Sequence, residues 1–271
     1  ENSGRRALEL DPSDLWAAHA VAHVLEMQGR RTEGIEHLKS LEPHWDGGNH
    51  FMHHLWWHLG LYHYERGEYD EVLRLYDTKY RNHHSALNKA VPDLYVDFQN
   101  AASMLFRLER QGVDVGSRWI EIAEHAEKRI GDNRSPFTQT HWMMALAATN
   151  RWDVAERMLA SMRAYGESEP GTLGRLVKRI SLPICEAIVA RGKGDHRRAV
   201  ELMRPVLGTM FQIGGSHAQQ DVLEQLFLDS AEKAGSNDAV RLLIERVTAR
   251  HPVPPERRAG YRTSAARIGA T

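Results

Sequence analysis

Apolar and polar positions along this 271-residue chain follow the period of helices, and the helical blocks come in pairs around a short turn. The clearest pair surrounds Gly67: Trp56, Leu59 and Gly60 precede the turn, and Tyr69 and Tyr76 follow it. Similar pairs are placed around Gly29 (residues 18–41), Asn150 (137–162, with Trp152 and Ala155) and Gly194 (181–206, with His196 and Ala199). Two looser ones span 93–130 around Gly112 and 217–250 around Gly235. No segment reads as a strand, so the fold class is all-α.

The spacing around Gly67 is the W-x-x-L-G pattern of a tetratricopeptide helix pair. Separations between turns exceed the ~34 residues of a regular array, which predicts enlarged loops and an irregular stack. A lone helix pair cannot bury both of its apolar faces. Stacking therefore predicts a right-handed α-solenoid of five or six antiparallel pairs, with the first helix of each lining an inner groove. Proline and glycine punctuate predicted loops at "EPHWDGGNHF", "KYRNHHSALNKAVPD", "YGESEPGTLGR" and "LGTMFQIGGS". The division that follows is a helical repeat domain over 1–251 and an extended tail over 252–271, where apolar periodicity is absent. The opening "GRRALELDP" reads as the end of a helix with no partner before it, so the chain is expected to be a fragment of a longer protein. An uncovered apolar flank at this end would favour self-association into a homo-oligomer.

Composition narrows the function classes. Thirty-five basic and 36 acidic residues nearly cancel, which argues against nucleic acid as a partner. No apolar run is long enough to span a bilayer, so no membrane partner is expected. Cys185 is the only cysteine, which excludes an internal disulfide and fits a reducing, cytoplasmic setting. It has no evident local base and reads as a small buried residue rather than a nucleophile. With neither a strand followed by a glycine-rich phosphate loop nor a G-x-S-x-G elbow, nucleotide cofactors and serine-hydrolase chemistry lack support.

Three separated motifs, "AHAVAHVLEMQGR" (18–30), "HHLWWHLGLYHYERGEYDEVLRLYD" (53–77) and "GGSHAQQDVLEQLFLD" (214–229), together resemble the tetratricopeptide repeat protein 38 family. The resemblance covers nearly the whole chain and implies further helical repeats in a missing N-terminal portion. It implies no defined biochemical activity.

The histidines carry the candidate chemistry. His19 and His23 lie i, i+4 on one first helix, and His54 and His58 lie i, i+4 on the next. Each pair shares a helical stripe, with about 6 Å between side chains along the axis. In carboxylate-clamp members of the tetratricopeptide superfamily these offsets hold the Lys and Asn residues that grip a peptide carboxylate; here all four are histidine. His141 occupies a matching offset, Asp93, Asp97 and Asn100 form a polar stripe, and His217 with Asp221 repeats the i, i+4 spacing after Ser216, a capping residue. Trp57 is a candidate pocket wall, while Trp56, Tyr62, Trp142 and Trp152 read as inter-helix core.

Imidazoles and carboxylates at this spacing are the ligand set of zinc, iron or manganese. The zincin motif H-E-x-x-H is missing, since Ala20, Val21 and Ala22 separate His19 from His23; Glu26 stands one turn on as an alternative base or ligand. Isolated histidines such as His37, His125 and His196 read as packing residues. Two functions follow. One is a binding module whose histidine-rich concave groove takes a peptide or small-molecule ligand on His19, His23, His54, His58 and Trp57. The other is a metal-dependent enzyme of the hydrolase type, in which the same histidines with Asp93, Asp97, His141, His217 and Asp221 act on a small substrate. An open groove fits the first and a closed site the second.

Overall fold

The computed structural model describes residues 1–269, and every regular element among them is helical. In chain order these are α1 (Asn2–Leu10), α2 (Leu15–Met27), α3 (Arg31–Leu41), α4 (Phe51–Arg66), α5 (Tyr69–Leu75), α6 (Ala86–Ala90), α7 (Tyr95–Arg110) and α8 (Arg118–Glu127). There follow α9 (Pro136–Ala148), α10 (Trp152–Ser168), α11 (Thr172–Leu176), α12 (Leu182–Gly192), α13 (His196–Met203), α14 (His217–Lys233), α15 (Asn237–Arg250) and α16 (Arg262–Gly269). No helix among the described residues is long and apolar enough to cross a membrane.

All six turn residues picked out by the periodicity sit between consecutive helices and adopt the left-handed region, from φ 55° at Asn150 to φ 85° at Gly194. Glycine takes that conformation without the Cβ clash other residues meet, and asparagine is the usual substitute. This is why the turns were readable.

The chain forms two compact units. Unit 1 takes Glu1–Ala101 together with the segment from Ile244 onward, and unit 2 is Ala102–Leu243. The division does not fall at residue 251. The stretch expected as an extended tail is instead part of unit 1: α16 is helical, and Val253, Ala259, Tyr261 and Ala265 are buried. Gly29 admits Val253 at its turn, Arg31 donates to the Arg257 carbonyl, and the Ala259 amide donates to Glu65 Oε2 at 3.1 Å. These anchors lie in short irregular segments, so no single period betrays them. Residues 270 and 271, the end of that expected tail, lie outside the described residues.

The predicted loops are also shorter than the sequence suggested. "KYRNHHSALNKAVPD" contains α6, capped by Ser85, whose hydroxyl accepts from the Asn88 amide. In "YGESEPGTLGR" only residues 169–171 separate α10 from α11. From α11 the chain passes through one wide π turn, Val177–Ser181, directly into α12. Pro183 gives the reason: without an N–H it cannot bond the carbonyl four residues back, and the helix widens rather than stops.

Unit 1 places the histidines. Asp14 caps α2, its carboxylate accepting from the amides of Trp16 and Ala17 at 3.0 Å each, which starts the helix directly after the Asp11–Pro12 break. Ala17, Ala18 and Ala22 are buried, and such small side chains let α4 approach α2 closely. Tyr62 of α4 donates to the Ala22 carbonyl at 2.6 Å. A Cβ at Gly34 of α3 would stand 2.3 Å from the Tyr62 ring, so α3 must carry glycine there. The crossing of α2 and α4 is thus pinned one turn from the histidine stripe.

Candidate functional site

The α2–α4 crossing brings His19, His23, His54 and His58 together. One nitrogen from each lies within 4.8 Å of the other three. Ring centroids are 4.3 Å apart for His19–His23, 4.8 Å for His54–His58, and between 4.5 and 5.0 Å for the cross-helix pairs His23–His58, His19–His58 and His19–His54. Trp57 stacks on His54 at 5.1 Å and meets His58 edge-on at 5.0 Å. Phe51 packs edge-on against His19 at 4.9 Å and itself stacks on the exposed ring of Trp16.

The expected groove position is corrected for two of the four. His54 is 3% exposed and His58 0%; only His19 and His23 are half-buried. The tight α2–α4 contact explains this, because each stripe faces the neighbouring helix rather than solvent.

Burial determines the protonation state. Desolvation pulls His19 down to about 3, with the neighbouring His23 and His54 adding to the effect. It holds His54 at about 4, against the opposing pull of Asn100 and Asp97. His58 lies well below its ordinary value for the same reason, reinforced by His23, His54 and His19. At neutral pH these three rings are uncharged, and a neutral imidazole presents one N–H and one lone pair.

The hydrogen bonds then sort the nitrogens. His54 Nδ1 lies 2.9 Å from Asn100 Oδ1 on α7 and donates to it, which leaves Nε2 as the lone-pair nitrogen. Among the described residues both nitrogens of His58 are buried without a hydrogen-bond partner, and so is Nε2 of His19. An unanswered buried polar atom costs about 1–3 kcal/mol. Glu26 Oε2 stands 3.9 Å from His23 Nδ1, too far for a direct hydrogen bond, at the half-buried side of the group.

The other expected site residues divide. Asp97 is fully buried beside His50 and His53, a grouping that the sequence reading missed. Its signal was present in the i, i+3 spacing of His50 and His53, but only the packing of α7 shows which carboxylate they meet. Asp93 is half-buried and belongs to neither histidine group. His141, His217 and Asp221 lie in unit 2 and make contacts of their own there. His141 Nδ1 donates to the Phe137 carbonyl at 3.0 Å within its own helix. Asp221 pairs with Arg107 at 3.3 Å and accepts from Gln225 at 2.7 Å, while His217 is exposed. Cys185 is wholly buried and burial pushes its thiol up, which leaves it inert as a nucleophile. His37 is a packing residue, its Nε2 at 3.3 Å from the Ala18 carbonyl.

Compared with known proteins, the chain matches no family model and no solved structure.

Proposed function

We propose that unit 1 is a metal-binding module in which His19, His23, His54 and His58 hold one divalent transition-metal ion between α2 and α4. The observation that carries this reading is the group of four imidazoles, one ligand atom from each within 4.8 Å of the others, in which His58 and Nε2 of His19 are buried with no hydrogen-bond partner among the described residues. A tetrahedral ion with bonds of ~2.0–2.1 Å draws such atoms to about 3.4 Å apart. The half-buried His19 and His23 have room to make that adjustment. Their side is also the route by which an ion enters.

An all-imidazole set suits zinc, copper, iron and nickel, whereas manganese prefers oxygen donors. Zinc or iron therefore fits the four histidines better than manganese. Four protein ligands complete a tetrahedron and leave no position for a reacting water, so this centre is a binding or structural one rather than a hydrolytic one. Burial of His54 and His58 speaks for a single ion over a peptide lying in an open groove.

The pairs α2/α3 and α4/α5, joined by left-handed glycine turns, support reading unit 1 as tetratricopeptide-like, of the kind the tetratricopeptide repeat protein 38 resemblance implies. On that reading the metal replaces the peptide carboxylate as the ligand of the first-helix stripe.

The test is elemental analysis of the purified chain followed by calorimetric titration of zinc into chelator-stripped protein. Uptake lower by one equivalent in His58→Ala and in His19→Ala than in the parent is the expected result. Equal uptake by parent and both variants would sink the proposal.

A further inference from the structure

A second group of ligating side chains stands in unit 1, apart from the four histidines. His50, immediately before α4, and His53, in its first turn, both face Asp97 of α7. Their Nδ1 atoms lie 2.6 and 3.0 Å from the same carboxylate oxygen, Asp97 Oδ2. The carboxylate is fully buried, the His53 side chain is 1% exposed, and that of His50 is 16% exposed. Asp97 Oδ1 and His53 Nε2 are buried with no hydrogen-bond partner among the described residues.

The local backbone holds this arrangement in place. Asn49 Oδ1 accepts from the Phe51 amide at 2.9 Å, the Met52 amide donates to the Asn49 carbonyl at 3.1 Å, and the His53 amide donates to the His50 carbonyl at 3.0 Å. This tight turn sets His50 and His53 on one side of the helix start, where the i, i+3 spacing aligns their rings 5.2 Å apart.

We infer that His50, His53 and Asp97 form a second divalent transition-metal site, with two nitrogen donors and one oxygen donor and with open coordination positions. A simple hydrogen-bonded trio would need only the two N–H donors on Oδ2. It would leave the second carboxylate oxygen buried and idle, a cost that a cation on the carboxylate removes. Two histidines and one carboxylate fill only part of a coordination sphere. Water or a small oxygen-donor molecule takes the remaining positions, and His50, the one partly exposed ligand, marks the side from which it arrives. Such an ion polarises a bound oxygen and lowers the pKa of a bound water, chemistry that the closed four-imidazole centre lacks. The inference stands on its own residues and does not rest on the four-histidine reading.

Cobalt(II) titration of the full, chelator-stripped chain tests it, with equivalents read by calorimetry and ligand field by visible absorption. The parent is expected to take two equivalents. His50→Asn and Asp97→Asn are each expected to take one, with the intense bands of a tetrahedral nitrogen site. His58→Ala keeps the other equivalent, with the weaker bands of a five- or six-coordinate ion. His50 is partly exposed, so His50→Asn decides the matter should Asp97→Asn fail to give a folded circular dichroism spectrum. Folded His50→Asn binding as many equivalents as the parent overturns the inference. A parent that binds one equivalent, lost in His50→Asn and kept in His58→Ala, overturns the four-histidine reading and leaves this one intact; the opposite pattern overturns this one. A parent that binds no cobalt overturns both.

Discussion

The two units bury polar side chains in opposite ways. In unit 2 the buried groups answer one another. Arg107, 1% exposed, donates to the Ala218 carbonyl at 2.8 Å and to Asp221. Gln139 donates to Asn133 at 2.7 Å and lies 2.9 Å from the Ser181 hydroxyl, and Asp229 meets both Arg191 and Lys233. In unit 1 the imidazoles of His58, His19 and His53 keep buried nitrogens that no group among the described residues satisfies, and Asp97 keeps an oxygen. Orphan atoms occur elsewhere, as at the Trp45 indole nitrogen, an N–H donor that cannot ligate a cation, and at His196 Nδ1 in unit 2, which belongs to neither ligating group. Convergent lone pairs distinguish a binding site from an architectural network, and that is the property to attack experimentally.

The largest effect is expected in unit 2. Arg107→Met removes one partner of a buried ion pair and strands the Ala218 carbonyl, which should cost ~3–5 kcal/mol of stability in denaturant melts. Metal uptake should be unaltered. A stability loss below about 1 kcal/mol would mean that the network contributes little and would weaken the contrast between the units.

Acid should separate the units next. Burial holds His141 at about 4 in the folded chain, opposed by its bond to the Phe137 carbonyl, whereas an exposed histidine titrates near ~6.5. Between those values the unfolded chain carries a proton that the folded chain refuses. Stability therefore falls as pH drops from about 6.5 to about 4 and then levels, by roughly 3 kcal/mol for this residue. His141→Gln should flatten the slope by that amount in melts at several pH values. An unchanged slope would show that His141 is not neutral in the fold.

In unit 1 the comparison turns on neighbours in one helix. Zinc at a hundred times its dissociation constant should stabilise the parent by ~2.7 kcal/mol. His58→Ala should remove the part of the zinc-dependent gain that the four-histidine ion supplies. Leu59, 2% exposed on the adjacent face, should behave oppositely: Leu59→Ala loses ~2–5 kcal/mol through the cavity it leaves, yet keeps the zinc increment. Thermal melts with and without zinc read both quantities. A zinc increment as large in His58→Ala as in the parent would place the ion elsewhere.

How much of this was legible follows from the same residues. Periodicity located all six turns, because a helix must end where Gly29, Gly67 or Asn150 takes a left-handed backbone. The i, i+4 spacing made the pairs His19/His23 and His54/His58 visible as stripes. It said nothing of burial, which depends on how near alanine-rich α2 comes to α4; that is why a groove was expected where a closed contact exists. His50 and His53 went unread because their partner Asp97 lies on α7, more than forty residues away. His141, His217 and Asp221 matched offsets that carry meaning only within a strictly regular array, and the lengthened loops and π turns make this chain irregular.

The smallest effect tests whether the four-histidine group is prepared for an ion by what stands behind it. Asn100 is fully buried, and its Oδ1 accepts from His54 Nδ1, which fixes the tautomer and leaves Nε2 as the lone-pair nitrogen. Replacing a partner of this kind in metal sites typically costs 10–100-fold in affinity without removing a ligand. Asn100→Leu should therefore weaken zinc binding by that factor, while the equivalence of one ion per four-histidine group is kept. Asn100→Asp supplies an acceptor oxygen at the same place and should restore most of the affinity. A purely structural role for Asn100 predicts a different pattern: both variants would lower stability, and zinc affinity would not distinguish leucine from aspartate. Calorimetric titration of the two variants, at a pH above 6 where His54 is neutral in either state of the site, reads the difference directly.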